Sequence, residues 1–108
     1  MIDNKLKQIK RIIIDELEKE NIKVHKIILF GSRARGDFKE DSDWDILVVV
    51  DRKLSFCEKW DIIDRIKLKL ARNKIPNDII LKSDFELFEN KNNIGSVVYY
   101  AIKEGKEI

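Results

Sequence analysis

The segment Ile28–Val50, ILFGSRARGDFKEDSDWDILVVV, places two apolar runs on either side of a polar connection rich in glycine, arginine and carboxylates. The runs Val24–Phe30 and Trp44–Val50 are dominated by β-branched and other apolar residues, which favours strands. The second run is almost continuously apolar, as is typical of a strand buried on both faces in the middle of a sheet. We therefore predict that these two strands form the centre of the fold.

Helical patterns lie before and after this central pair. Apolar residues at three- and four-residue steps predict an amphipathic helix from about Asp3 to about Glu20. A second helix is predicted over roughly Leu54–Arg72, with Trp60 as a core anchor. A third strand, Asp78–Leu81, follows Pro76, and Asp84 is predicted to cap a short helical turn.

The last helical pattern ends near Gly105 and is formed by Ile94, Val97, Val98, Ala101 and Ile102. The order of elements predicts an α+β fold, in which a small mixed β-sheet of three or four strands packs against helices as an α/β sandwich. Residues 1–108 are expected to form a single domain, since a chain of 108 residues supports one modest core.

The composition narrows the classes of function. A net charge of +2 lacks the basic excess of a dedicated nucleic-acid binder, so direct nucleic-acid binding is not expected. One cysteine and one histidine exclude an internal disulfide, a cysteine zinc site and a histidine-rich metal site. No apolar run approaches the ~20 residues that span a bilayer, and the N-terminus does not resemble a signal peptide. The expected location is the cytoplasm.

Paired aspartates stand at the start of the second strand. Side chains on a strand alternate between faces, so Asp43 and Asp45 point the same way, ~7 Å apart along the strand. Two carboxylates on one face repel unless a cation lies between them, and Mg²⁺ prefers oxygen ligands and leaves room for phosphates. Asp78 adds a third carboxylate if its strand is the neighbour. Three such groups suit two-metal phosphoryl or nucleotidyl transfer.

The turn after the first strand is suited to phosphate. Gly31 allows the backbone to approach a ligand closely, and Ser32 offers a hydroxyl and an amide. Arg33 and Arg35 add charge-assisted donors. Alone, either a Gly-Ser pair or an Asp-x-Asp pair is more often an ordinary turn or strand end, but their combination at two strand ends is more specific.

Gly31-Ser32, a spacer of ten residues and Asp43-Trp44-Asp45 together resemble the signature of the DNA polymerase β-like nucleotidyltransferase superfamily. More narrowly, the chain resembles minimal nucleotidyltransferases over nearly its whole length. The resemblance implies that Gly31 and Ser32 hold the triphosphate of ATP, and that Asp43 and Asp45 bind Mg²⁺, as two ions. It also implies several further roles.

In these implied roles, Asp78 is the third metal-binding and catalytic carboxylate, although Asp84 or Glu86 could be confused with it. Arg33 and Arg35 are nucleotide-binding residues that contact phosphate. Minimal nucleotidyltransferases are similar to the antitoxins of toxin–antitoxin modules whose toxin is a HEPN ribonuclease. The resemblance therefore implies transfer of AMP to a tyrosine hydroxyl of that toxin. Two alternatives stay open: nucleotidyl transfer to a small molecule, and neutralisation of the partner by binding alone.

Overall fold

A computed structural model describes residues 2–90 and 97–108 of the chain. Helices and strands alternate along most of its length. In chain order the elements are α1 (Ile2–Glu18), β1 (Val24–Phe30), α2 (Ser32–Arg35), β2 (Trp44–Val50), α3 (Phe56–Arg72), β3 (Asn77–Ser83), α4 (Asp84–Asn90), α5 (Val97–Glu104) and β4 (Lys106–Glu107). The bounds of β1 and β2 agree with the prediction, because each run ends where the apolar side chains end.

The sheet has the strand order β3-β2-β1-β4. β1 runs antiparallel to β2 and to β4, whereas β2 and β3 are parallel. The sheet is therefore mixed, as predicted, and β2 lies inside it. The side chains of Ile46–Val50 are almost wholly buried, which confirms that both faces of β2 are covered.

Helices α1 and α3 cover one face of the sheet. Their apolar stripes pack on alternate residues of the strands and form the larger core, which includes Ile9, Ile13, Leu17, Trp44, Ile46, Val48, Ile63, Ile66 and Leu70. The other face carries a smaller cluster in which Ala101 of α5 packs on Ile28, Leu47 and Val49, with Leu87 of α4 beside them. In the part of the chain that is described, no helix is both long and apolar enough to cross a membrane.

Several local predictions need correction. Asp84 is not a cap: the Ser83 hydroxyl accepts a hydrogen bond from the Glu86 amide, and the Glu86 carboxylate accepts one from the Ser83 amide, each at 3.2 Å. This reciprocal arrangement is a capping box. Trp60 is 46% exposed rather than a core anchor, because Ile62 and Ile63 point inward instead. Ile102 is also exposed, and Ile94 lies outside the described residues.

Candidate active site

Asp45 and Asp78 are neighbours on one face of the sheet. Asp45 is the second residue of β2, Asp78 is the second residue of β3, and the parallel register pairs them directly. Paired residues on adjacent strands share a face, with their backbones ~4.8 Å apart. Trp44 is buried on the opposite face, as the alternation of side chains along β2 predicts. The crossover through α3 thus brings together two carboxylates that are 33 positions apart in the sequence.

The carboxyl of Asp45 lies among the negative charges of Asp78 and Asp43. Burial raises the pKa of the Asp45 carboxyl above its ordinary value, and the charges of Asp78 and then Asp43 raise that pKa further. The Arg35 guanidinium acts in the opposite direction. Asp43, Asp45 and Asp78 therefore lie close enough to interact electrostatically, and Asp45 is the member of the trio that most needs a nearby cation.

The three aspartates offer only oxygen ligands, which suits Mg²⁺ rather than a thiolate- or imidazole-seeking metal. Among residues 2–90 and 97–108, however, no group of three or more His, Cys, Asp or Glu side chains converges closely enough to hold an ion. The fold thus brings the carboxylates to neighbouring strand ends without gathering them around one point. The chemistry of the donors and the raised pKa of Asp45 fit a divalent cation.

Gly31 is required by the position of Asp45. Its backbone has φ 74° and ψ −158°, a conformation that is essentially restricted to glycine. A Cβ atom at this position would lie 2.1 Å from Oδ2 of Asp45. The absence of a side chain therefore lets the turn after β1 lie directly against the Asp45 carboxylate. This close approach joins the Gly-Ser turn and the aspartate pair into one site.

Helix α2 follows this turn immediately. The amides of Ala34 and Arg35 donate to the Gly31 carbonyl at 3.1 and 3.0 Å, so they are the first intrahelical donors. The preceding amides of Ser32 and Arg33 belong to the first helical turn, where the backbone has no intrahelical acceptor. A phosphate oxygen near Gly31 could accept hydrogen bonds from this turn.

Arg33 is held within the connection between α2 and β2. Its guanidinium lies between the rings of Phe38 and Trp44, 4.4 and 4.5 Å from their centroids. It donates to the carbonyls of Ser42 and Glu40 at 2.9–3.2 Å. Since Trp44 and Asp45 face opposite sides of β2, the structure does not bring this guanidinium together with the carboxylates. The sequence analysis did not predict that Arg33 contacts these two rings. The presence of Phe38 and Trp44 within a few residues of an arginine was the signal that could have indicated it.

Arg35 lies on the side of the carboxylates. Its Nε atom is 3.3 Å from Asp37 Oδ2, and its Nη1 atom is 3.5 Å from Glu104 Oε2 at the end of α5. Both contacts are exposed, so they hold the side chain weakly. Of the two arginines, Arg35 is the one whose charge acts on Asp45.

The alternative third carboxylates lie elsewhere. Asp84 pairs with His25, and Glu86 takes part in the cap of α4. Both follow the C-terminal end of β3, whereas Asp78 stands at its N-terminal end beside Asp45. The geometry therefore favours Asp78 over Asp84 and Glu86.

Comparison with known proteins gives consistent matches. The family model described as polymerase beta nucleotidyltransferase matches residues 11–108. A Methanocaldococcus jannaschii protein described as a candidate protein adenylyltransferase is 38% identical over 90 residues, which are 83% of this chain and 84% of that protein. A second such protein from the same organism is 49% identical over 41 residues, which are 38% of this chain and 41% of that protein.

Solved structures show the same fold. A toxin–antitoxin complex with AMP-PNP aligns with a TM-score of 0.58 at 23% identity, covering 90% of this chain and 69% of that chain. Tri-AMPylated Shewanella oneidensis HEPN toxin in complex with MNT antitoxin aligns with a TM-score of 0.60 at 18% identity, covering 99% and 71%. At these identities the likeness concerns the arrangement of helices and strands.

Proposed function

Because this chain belongs to the polymerase β nucleotidyltransferase family, we propose that it transfers AMP from ATP to a tyrosine hydroxyl of a HEPN-family toxin, in a Mg²⁺-dependent reaction that neutralises the toxin in the cytoplasm. The observation that carries the proposal is the direct pairing of Asp45 with Asp78, with the Gly31 backbone lying against the Asp45 carboxylate. A turn suited to phosphate and a group of carboxylates thus lie at the same end of the sheet.

In the proposed reaction, Gly31 and Ser32 bind the triphosphate through the first turn of α2, and Arg35 contributes positive charge beside it. Asp43, Asp45 and Asp78 would hold Mg²⁺, which would lower the pKa of the attacking hydroxyl and neutralise charge on the departing pyrophosphate.

The tyrosine oxygen forms a bond to the α-phosphorus of ATP, and the bond from that phosphorus to the bridging oxygen of pyrophosphate breaks. A tyrosine hydroxyl has a pKa of ~10 and is a poor nucleophile while protonated. Asp78 is exposed at the edge strand and accepts the proton as the hydroxyl attacks. Asp45 is more enclosed and is better placed to hold metal than to meet an incoming acceptor.

The choice of acceptor is supported by the similar proteins. The relative from M. jannaschii is described as acting on protein, and the aligned Shewanella complex contains an AMPylated HEPN toxin. A partner protein that supplies its own hydroxyl needs no enclosing pocket around the Asp45–Asp78 pair.

The test is intact-mass spectrometry of the HEPN-family protein encoded beside this gene. It is incubated with this chain, Mg²⁺ and each ribonucleoside triphosphate in turn. We expect the toxin to gain the mass of one or more AMP groups with ATP, with peptide mapping assigning them to tyrosine. Asp43→Asn/Asp45→Asn is the matched control and should leave the toxin unmodified. A toxin neutralised by both proteins without any mass gain would contradict the proposal and favour binding alone.

A further inference from the structure

Positive charge is distributed unevenly along the chain. Residues 1–11 and 67–77 contain eight lysine and arginine residues and one carboxylate, which is a net charge of +7. The whole chain carries +2, so the remaining residues carry −5. The expectation that nucleic acid is not bound was based on the net charge, which does not reveal this asymmetry. Charge that is concentrated on one part of a protein attracts an oppositely charged ligand even where the net charge is small.

The fold brings the two basic segments together. A hydrogen bond of 2.9 Å from the Gln8 amide to the Asn73 side chain joins the first half of α1 to the end of α3. Arg65, two turns earlier in α3, instead pairs with Glu20, which follows the end of α1. The two helices therefore run in opposite directions, and the N-terminal half of α1 lies beside the C-terminal end of α3.

Two open hollows lie at this junction. Lys5 and Lys74 line the first hollow, which has a volume of about 540 Å³. Lys7 and Arg11 line the second hollow, which has a volume of about 390 Å³ and is also lined by Gln8. Because Gln8 is bonded to Asn73, the residue before Lys74, the two hollows belong to one continuous surface.

Arg72 lies on the same side of α3. It follows Arg65 by seven residues, which is about two helical turns, and the ion pair of Arg65 with Glu20 shows that this flank faces α1. Arg72 is exposed. We call the five cations around the junction the basic surface: Lys5, Lys7, Arg11, Arg72 and Lys74.

The basic surface has no counter-charges of its own. Within the residues that the structure describes, none of its five cations forms an ion pair. Elsewhere on the same helix layer, Lys19 and Lys69 both pair with Glu16. Of the described residues that line the two hollows, only Glu40 carries a carboxylate. Like charges repel one another, and a bound polyanion would relieve this repulsion.

From this arrangement we infer that the basic surface binds single-stranded RNA. The backbone of a nucleic acid carries negative charge at every phosphate, so it is complementary to a surface that presents cations. The amides of Asn4, Gln8 and Asn73 lie among the cations and are of the type that donates to phosphate and sugar oxygens. A membrane surface is a poorer ligand, because the apolar stripe of α1 is buried in the larger core and cannot insert into lipid.

The first hollow favours a single strand of RNA over other nucleic acids. Phe38 and Pro76 line it beside Lys5 and Lys74, so an unpaired base can stack on an apolar wall while its phosphate meets a cation. The bases of a duplex are already stacked and paired. Glu40 lines the same hollow and disfavours phosphate, but its carboxylate can accept a hydrogen bond from a ribose 2′-hydroxyl, which DNA lacks.

The basic surface is separate from the carboxylates of the candidate active site. It belongs to the layer formed by α1 and α3, whereas Asp45 and Asp78 lie on the opposite face of the sheet. RNA binding is measured without ATP or metal. Its outcome therefore does not depend on the proposed transfer of AMP, and substitutions on the basic surface should leave that transfer unchanged.

The first experiment is a fluorescence anisotropy titration of a short labelled RNA without secondary structure. We expect a Kd of about 1–100 µM at physiological salt. Contacts with three to five phosphates should raise the Kd roughly 20- to 130-fold between 50 and 200 mM KCl. DNA of the same sequence and duplex RNA should bind more weakly. Equal binding of the DNA or the duplex, or no binding of the single-stranded RNA at 50 mM KCl, would overturn the inference.

The second experiment compares two variants that change the net charge equally. Lys5→Glu/Lys7→Glu alters the basic surface, whereas Lys23→Glu/Lys26→Glu alters exposed lysines at the start of β1 and is the matched control. We expect the Kd for RNA to rise at least tenfold in the first variant and less than about threefold in the control. Equal losses in both would mean that only the overall charge matters and would contradict the inference.

Two further measurements keep the result independent of folding and of the ligand class. Lys5→Gln/Lys7→Gln removes the charges without reversing them, and circular dichroism verifies that each variant is folded. This milder variant should still bind RNA more weakly than the wild type. Polyglutamate and vesicles of anionic lipid serve as competitors of other classes. If either displaces the RNA at a lower concentration of negative charge than unlabelled RNA does, the surface belongs to an acidic protein or a membrane and the inference fails.

Discussion

At the scale of single residues, the site depends on the contact between a bare backbone and a carboxylate. Gly31 has a conformation that other residues adopt only with strain, and the space that a side chain would need is occupied by Asp45. Asp45 in turn has a raised pKa because burial and two neighbouring carboxylates disfavour its charge. Each residue therefore constrains what the other position can hold.

Gly31→Ala should abolish nucleotidyl transfer and destabilise the fold by about 1–3 kcal/mol, because the new Cβ combines backbone strain with displacement of the Asp45 carboxylate. Gly36→Ala is the matched control. Gly36 also has a positive φ, but a Cβ added there would meet no atom within 4 Å, so strain of about 1–2 kcal/mol is the only expected cost. Chemical denaturation and AMP transfer measure the two effects. Equal activity loss in both variants would show that strain alone is responsible.

Asp45→Asn should lower the rate of AMP transfer by about 100-fold or more, since charge that balances the metal is lost. The same change should stabilise the metal-free protein. The pKa of Asp45 is raised from its ordinary value of 3.8, so the contribution of Asp45 to stability is fully present below that pH and is lost as pH rises through the folded-state pKa. The variant should therefore have the higher Tm at neutral pH in EDTA, with no difference in acid.

Addition of Mg²⁺ and AMP-PNP distinguishes this electrostatic effect from a general destabilisation of the fold by the substitution. Binding to the folded state raises Tm by an amount that grows with the logarithm of the ratio of ligand concentration to Kd. We expect the ligands to stabilise the wild type more than Asp45→Asn, so that the order of the two Tm values at neutral pH is reversed. A variant that unfolds earlier under every condition would mean that Asp45 supports the fold rather than the site.

At the scale of elements, the connection from α2 to β2 is organised around Arg33. The guanidinium stacks between Phe38 and Trp44 and donates to the Glu40 and Ser42 carbonyls. These contacts fix the segment that leads into Asp43. Arg33 therefore supports the site through the loop, whereas Arg35 lies on the same side as the carboxylates.

Arg33→Ala should cost about 2–3 kcal/mol of folding free energy, because it removes charge-assisted hydrogen bonds and a stacked side chain. Arg35→Ala has only exposed contacts and should change stability by less than about 1 kcal/mol while weakening AMP-PNP binding. Urea denaturation and calorimetric titration of the nucleotide distinguish the two arginines. If Arg33→Ala is as stable as the wild type and loses only its affinity for the nucleotide, the result would favour a direct contact between Arg33 and the phosphate.

The central strands β1 and β2 could be predicted from the sequence because buried strands consist of nearly continuous runs of apolar residues. β4 could not, since Lys106 and Glu107 form a short edge strand whose side chains are exposed. Pairing with β1 depends instead on the tight turn at Gly105, where a Cβ would lie 2.2 Å from the Ala101 carbonyl. The Asp45–Asp78 contact required the parallel register, which local patterns do not encode.

At the scale of the whole molecule, the layer formed by α1 and α3 is joined by a buried ionic contact. Glu16 of α1 is 2% exposed, and its Oε2 accepts from Lys19 at 2.6 Å and from Lys69 of α3 at 3.0 Å. The hydrogen bond from Lys19 lowers the pKa of Glu16, burial opposes it, and Lys69 adds to the lowering. The contact secures the helix layer that lies across the sheet from the carboxylates.

Glu16→Gln should lower the free energy of unfolding by about 1–3 kcal/mol at neutral pH, since charged hydrogen bonds are lost from a buried position. A lowered pKa gives stability that is present above the ordinary value of 4.5 and is lost as pH falls through the folded-state pKa. The deficit of the variant should therefore vanish in acid. Glu18→Gln, at an exposed position of the same helix, is the control and should show no such pH dependence.

The contact between Gly31 and Asp45 has a consequence for evolution. While the carboxylate is needed, selection disfavours a side chain at position 31 for two reasons, because the backbone there has a conformation that suits glycine and because Asp45 occupies the space. A lineage that abandoned catalysis and kept only partner binding would be released at both positions together. Descendants in which one of the two residues is substituted should then also have a substitution at the other. The pair would therefore show from sequence alone whether a related protein has kept the enzymatic activity or only the fold.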